Sequence, residues 1–375
     1  MAAFIYSVLH MLVDGVCAFA MFGQYVSDKN GYWNILIYNF CAFALQMPLG
    51  LILDARGKKN TPFWFAATGC VMVLAGMVTG PVVLGIGNAL FHVGGGVGTI
   101  REDFRNNWKG QALGIFVAPG AFGLFIGRQL TGSEGLGLED GGCKIGIIMA
   151  GLTFSMLLLI FILKSYIEKN EKHFQESECE LGLHVSNLYE SNLHELSSYK
   201  SNTWNIGSLK FKKLLFVLAC FFVVILRAHT GMAIPFTWKT TALLGMLSVL
   251  AVVFGKALGG ILAARFGNCR VIVVSLGVAA IGYLFSEHSV MGLLALLCFN
   301  MTMPITLYLL VERFRKFSGF FFGVLTFGLF LGFLPTYLGV ERAMSGETLG
   351  GIASVISMLL LLLACWLGRR KQKQQ

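Results

Sequence analysis

Apolar residues run almost unbroken through residues 4–26, 33–53, 62–79, 82–100, 110–131, 145–163, 213–234, 242–263, 271–286, 289–311, 318–338 and 349–367, with short polar stretches between them. A helix of about 20 apolar residues spans the hydrocarbon core of a bilayer, where only a helix or a closed barrel satisfies the backbone. The runs are rich in Leu, Phe and Gly, so they predict twelve membrane-spanning helices. Thr79-Gly80-Pro81 leaves only a tight turn between the third and fourth, which makes them antiparallel neighbours.

The one long polar stretch, 164–211, divides the chain into an N-terminal six-helix bundle at 1–163 and a C-terminal one at 212–368, followed by a basic tail at 369–375. Glu168, Glu171, Glu176, Glu178 and Glu180 mix there with Lys, Ser and Asn, the composition of a solvated tether. His173, Cys179 and His184 are too irregularly spaced to read as a metal site.

The loop charges set the orientation. With a cytoplasmic N-terminus, one side collects Arg56, Lys58, Lys59, Arg101, Arg105, Lys109, Arg265, Arg270, Arg313, Arg315, Lys316 and the tail residues Arg369, Arg370, Lys371 and Lys373. The other side holds only Lys29, Arg128, Lys144, Lys239 and Arg342, so both termini are expected in the cytoplasm.

Composition narrows the class. Hydrophobic residues make up 56% of the 375 and charged residues only 13%, which excludes an ordinary soluble domain. The net charge of +10 sits in loop clusters rather than along a polar face, so no nucleic-acid partner is expected. No CxxC pair occurs, and Cys17, Cys41, Cys70, Cys220, Cys298 and Cys365 lie inside apolar runs, so neither a disulfide framework nor a metal site is expected. Ala18-Phe19-Ala20 resembles a signal cleavage site, but no basic segment precedes it and His10 and Asp14 interrupt the run, so the first helix is read as retained.

The halves carry an internal repeat. Gly50-Leu51-Ile52-Leu53-Asp54-Ala55-Arg56-Gly57-Lys58-Lys59 follows the second run, and Gly260-Ile261-Leu262-Ala263-Ala264-Arg265-Phe266-Gly267-Asn268-Cys269-Arg270 follows the eighth, with both glycine pairs 210 residues apart. The first glycine of each copy suits close helix packing and the second a tight turn, with charges at a helix end.

This arrangement resembles the major facilitator superfamily, whose loop between helices 2 and 3 reads Gly-x-x-x-Asp-(Arg/Lys)-x-Gly-x-(Arg/Lys)-(Arg/Lys). Gly50, Asp54, Gly57 and Lys59 match that pattern, while the second copy keeps Gly260, Arg265, Gly267 and Arg270 and has Ala264 in the acidic place. In the fifth run, Gly114, Ala118, Pro119, Gly120 and Gly123 look like the helix-5 signature of drug/proton antiporters, and equally like a glycine-rich helix interface with a proline kink. Gly85-Ile86-Gly87-Asn88-Ala89-Leu90-Phe91-His92 is similar to a stretch of fosmidomycin-resistance-type transporters, although Val93-Gly94-Gly95-Gly96 replaces the Pro-Glu that follows there. Pro81 stands where many facilitators carry an Arg, so no proton mechanism through that Arg carries over.

Ionisable groups in the middle of a span are costly, about 2.5–3.5 kcal/mol each on insertion scales, and therefore mark candidate chemistry. Asp14 and His10 share a face of the first helix, and Asn88 and His92 share a face of the fourth. Arg227 and His229 lie on different faces of the seventh helix, and Arg227, with Thr230 beside it, is expected to point inward because it cannot shed its charge. Asn300 lies midway along the tenth. The resemblance implies that helices 1, 4, 7 and 10 line a central cavity, so these residues would converge: Asp14, His10 and His92 on the coupling proton, Asn88, Arg227, Thr230 and Asn300 on substrate.

Two plainer readings stand beside this one: a fixed ion pair between Asp14 and Arg227, and a core His92 bonded to a carbonyl. Lys256 is expected to extend toward the inner interface. The expected activity is secondary transport of a small solute by alternating access, as proton-coupled efflux of a drug or anionic metabolite. A proton-coupled importer of a small organic anion, or a membrane receptor, is the alternative, with Na⁺ able to replace H⁺. No HExxH, GxSxG or Walker sequence occurs, so no enzyme and no cofactor are expected, and the protein is expected to work as a monomer in the plasma membrane.

Overall fold

The computed structural model describes residues 1–57, 59–131, 141–180, 203–340 and 344–368. Eleven of its helices are long and apolar enough to cross a bilayer. They are α1 (Ala2–Tyr25), α2 (Gly31–Arg56), α3 (Thr61–Thr79), α4 (Pro81–Arg105), α5 (Gln111–Gln129), α6 (Ala150–Lys169), α7 (Phe211–Ala233), α8 (Ala242–Phe266), α10 (Ser289–Arg313), α11 (Arg315–Tyr337) and α12 (Gly346–Gly368). Between α8 and α10 lies α9 (Asn268–Leu284), whose 17 residues are at the short limit for a span. Large apolar side chains such as Val78, Phe154 and Val290 are 68–86% exposed on the outside of the bundle, as they should be with lipid as solvent. The chain is a multi-pass membrane protein.

The expected tether at 164–211 needs correcting where it is described. Helix continues from Gly141 to Glu180 and begins again at Thr203, so the polar flanks prolong α6 and α7. Lys164 reaches Glu168 at 3.7 Å one turn on, the kind of pair that supports a solvated helix. Residues 181–202, with His184, lie outside the described residues, as do Lys58 and the tail 369–375.

The halves repeat one packing pattern. α1 lies against α4, α5 and α6, and α3 and α2 lie against α4; correspondingly α7 lies against α10, α11 and α12, and α9 and α8 lie against α10. The halves meet at α2 with α11 and at α5 with α8, which are equivalent pairs. Gly50 explains the first approach, since a Cβ there would strike the backbone of Gly319 and Phe320. Its repeat partner Gly260 explains the second, where a Cβ would meet the Gly110 carbonyl at 2.7 Å. Gly57 and Gly267 close the two helix ends with φ of 59° and 89°, a left-handed backbone that glycine tolerates best.

Asp54 joins the halves by accepting hydrogen bonds from the backbone N–H groups of Gly319 (3.0 Å) and Phe320 (2.8 Å), at the start of the α-helical part of α11. A carboxylate there also complements the helix dipole. Ala264 cannot do this in the second copy. At the start of α5 the carboxylate comes instead from Asp103 of α4, which takes Gly110 N–H at 2.8 Å and Ala112 N–H at 3.0 Å. Arg56, Arg265 and Arg270 are exposed at this same end of the bundle.

Candidate functional site

The site begins with a proline. Pro119 has no N–H to offer the Ile115 carbonyl, and α5 breaks at Ala118. The Ile115 carbonyl accepts instead from Ser7 Oγ of α1 at 2.7 Å, and the next carbonyl, Phe116, bonds His10 Nδ1 at 2.7 Å. The Phe116 ring stacks on the same imidazole with centroids 4.8 Å apart. Glycines let α1 come this close: a Cβ on Gly123 would strike the Met11 carbonyl, and one on Gly120 would stand 2.5 Å from both Asp14 Oδ2 and His10 Nε2. The glycines of the fifth helix are thus occupied by packing, and Gly114 faces the Lys256 and Ala257 carbonyls of α8.

One turn along α1, Asp14 Oδ2 lies 3.1 Å from His10 Nε2. From α4, His92 places its Nε2 2.9 Å from His10 Nε2 and 3.6 Å from Asp14 Oδ1, with its Nδ1 on the Asn88 carbonyl at 2.9 Å. Asn88 donates its amide to Asp14 Oδ1 at 3.4 Å. A carbonyl only accepts, so Nδ1 of each histidine carries a hydrogen, and in a neutral ring Nε2 then presents a lone pair. With both rings neutral, two lone pairs and a carboxylate converge in a buried place, a geometry that a cation at its centre relieves. His10, Asp14 and His92 are also a group of donors close enough to hold a metal ion, all within 4.8 Å of one another, which the sequence gave no reason to expect.

No family model matches this sequence, and no curated protein matches it. Solved structures do match its shape. The E. coli fucose:proton symporter FucP superposes with a TM-score of 0.57 at 13% identity, covering 98% of each chain. A second structure, of the major facilitator superfamily transporter FucP in the outward conformation, gives 0.55 at 13% identity over 99% of this chain and 100% of that one. The chain has the major facilitator fold. The internal repeat and the mirrored packing of its halves are the two-bundle plan of that fold.

Within the major facilitator fold of this chain, the histidine–aspartate cluster belongs to the N-terminal half. The C-terminal half contributes cations. Arg227 of α7 is 8% exposed, yet its Nη1 is buried without a hydrogen-bond partner. The fixed pair between Asp14 and Arg227 is not formed, because Asp14 is engaged by the two histidines. Lys256 corrects a second expectation. Ten residues of helix separate it from Phe266 at the basic end of α8, about 15 Å at 1.5 Å per residue, too far for its side chain to reach the interface. Counting residues from the ends of α8 would have revealed this.

Among the described residues, the remaining predicted cavity residues make no hydrogen bond to the cluster. Thr230 is buried with its hydroxyl unbonded, as is His229 Nδ1. Asn300 donates to the Leu296 carbonyl of its own helix at 2.8 Å and packs its Cβ on Gly255 of α8. Cys17 of α1, which the sequence marked only as lying in an apolar run, accepts from Asn88 Nδ2 at 3.5 Å. Two open cavities of about 600 and 250 Å³ lie elsewhere, at the basic ends of the two halves beside Arg313 and Arg105 respectively.

Proposed function

We propose that this protein is a secondary active transporter of the plasma membrane, cytoplasmic at both termini, that moves a small organic solute by alternating access and is driven by protons. The observation that carries this reading is the 2.9 Å approach of two imidazole Nε2 atoms whose Nδ1 atoms are both committed to carbonyls. A proton shared between them turns a repulsive contact into a charge-assisted hydrogen bond, with Asp14 neutralising the imidazolium. Without the proton, the lone pairs repel and the α1–α4–α5 junction is strained. Proton loading is thereby coupled to the junction on which the N-terminal half turns.

Imidazole nitrogens suit a proton far better than Na⁺, which prefers oxygen ligands, so the coupling ion in this reading is H⁺. The fucose symporter of similar shape is a proton-coupled transporter, which supports the reading. The expectation of drug export rested on the glycines of α5, and those serve packing, so they give no direction. The test uses purified protein in liposomes containing a pH-sensitive dye, with a panel of anions, sugars and hydrophobic cations added outside. Substrate-dependent proton movement that disappears in Asp14→Asn supports the proposal. Equal proton movement in wild type and Asp14→Asn refutes it.

A further inference from the structure

His10, Asp14 and His92 offer three donors, and a shared proton bridges only two of them. Their separations are 2.9 Å between the two Nε2 atoms, 3.1 Å from His10 Nε2 to Asp14 Oδ2 and 3.6 Å from His92 Nε2 to Asp14 Oδ1. Neighbouring ligands of a tetrahedral or octahedral ion with bonds of about 2.0–2.2 Å lie about 2.8–3.6 Å apart, so the three donors form a triangle of the size that one metal ion requires.

The surroundings match as well. The Phe116 and Asn88 carbonyls hold the two Nδ1 atoms at 2.7 and 2.9 Å, the outer contact that metal-binding imidazoles ordinarily make, and the Asn88 amide supports Asp14 Oδ1 at 3.4 Å. Gly120 of α5 keeps the adjoining space open, since a Cβ there would stand 2.5 Å from both His10 Nε2 and Asp14 Oδ2. The side chains of Asp14 and His92 each keep 12% of their surface exposed, so the donors are within reach of an entering ion.

We propose that His10, Asp14 and His92 form a binding site for a divalent transition-metal ion of the Zn²⁺, Co²⁺ or Ni²⁺ class. Two imidazoles and one carboxylate select such an ion over Mg²⁺ and Ca²⁺, which prefer oxygen ligands. Three protein ligands leave at least one coordination position open to water or to a donor atom of a solute. The ion takes all three donors, two of which the proton-coupled reading gives to a shared proton, so the two cations are alternatives at one place. The site stands on donor geometry and does not depend on that reading.

The test uses the full chain in detergent, purified without a histidine tag and stripped with EDTA. Zn²⁺ titrated by calorimetry should bind at about one ion per chain, and excess Mg²⁺ should not displace it. His10→Gln, Asp14→Asn and His92→Gln should each weaken Zn²⁺ by at least the roughly 10- to 100-fold that loss of a supporting partner costs, with the metal-free melting temperature reporting whether each variant is folded. X-ray absorption at the zinc edge of the wild-type protein needs no variant, and should show two imidazoles and oxygen at about 2.0–2.2 Å. His173→Ser, Cys179→Ser and His184→Ser made together, or His288→Ala alone, should change nothing. No Zn²⁺ binding, a zinc-edge spectrum without imidazole, affinity unchanged in a folded His92→Gln, or binding abolished by the triple substitution overturns the site. Proton movement in liposomes without zinc binding overturns this site alone, whereas zinc binding without proton movement supports it and removes the proton-coupled reading.

Discussion

The Nε2 atoms of His10 and His92 stand 2.9 Å apart, on rings whose other nitrogens already bond main-chain carbonyls. Neither ring can turn its donor nitrogen inward without giving up a buried hydrogen bond, and loss of such a bond costs about 1–3 kcal/mol. In the proton-coupled reading, the contact between α1 and α4 therefore registers protonation directly.

Replacing Asp14 by Asn removes the counter-charge of the imidazolium while keeping the shape. The variant should fold and exchange substrate across liposomes at equal pH, yet fail to accumulate it against a gradient. Radiolabelled counterflow measured beside proton-driven uptake separates these outcomes, and accumulation at the wild-type level counts against Asp14 as the coupling site.

Gly120→Ala places a methyl group where Asp14 Oδ2 and His10 Nε2 each lie 2.5 Å away. The Asp14 and His10 side chains must then give way, which breaks their arrangement, with a loss of about 1–3 kcal/mol typical of overpacking. Transport should fall steeply and the melting temperature modestly. A control at Gly151, where an added Cβ meets nothing, should leave both unchanged.

The Asp54 carboxylate holds the first N–H groups of α11 from the opposite half. Asp54→Ala removes a cap worth about 0.5–2 kcal/mol and should shift the protein toward states separated at this end. Spin labels on the basic ends of α2 and α11 should report a larger population at long distance in the variant. A distribution identical to wild type would show that Asp54 only stabilises the fold.

Gly50→Val should act more strongly in the same direction, because its side chain meets the backbone of α11 rather than a movable group. Closure at the basic end is then blocked, so exchange and uptake should both stop while the variant remains folded by size-exclusion chromatography. Gly260→Val is expected to act likewise against α5. Transport by either variant at the wild-type rate would mean that these two contacts do not form during the cycle.

Lipid as solvent made much of the architecture legible in the sequence. An apolar run of spanning length can only be a helix there, and the glycine repeat at Gly50, Gly57, Gly260 and Gly267 marked equivalent helix ends in two halves. Helical spacing also put His10 with Asp14 and Asn88 with His92 on common faces. Periodicity ends at the helix surface, however, and says nothing of which face meets which neighbour. Only the tertiary structure joined those two faces at Nε2, assigned the carbonyls freed by Pro119 to Ser7 and His10, and left Arg227 unpaired. Lys256 shows the reason most clearly: its depth follows from its place in α8, but the packing of its carbonyl against Gly114 comes from α8 lying on α5, a contact between residues far apart in the chain.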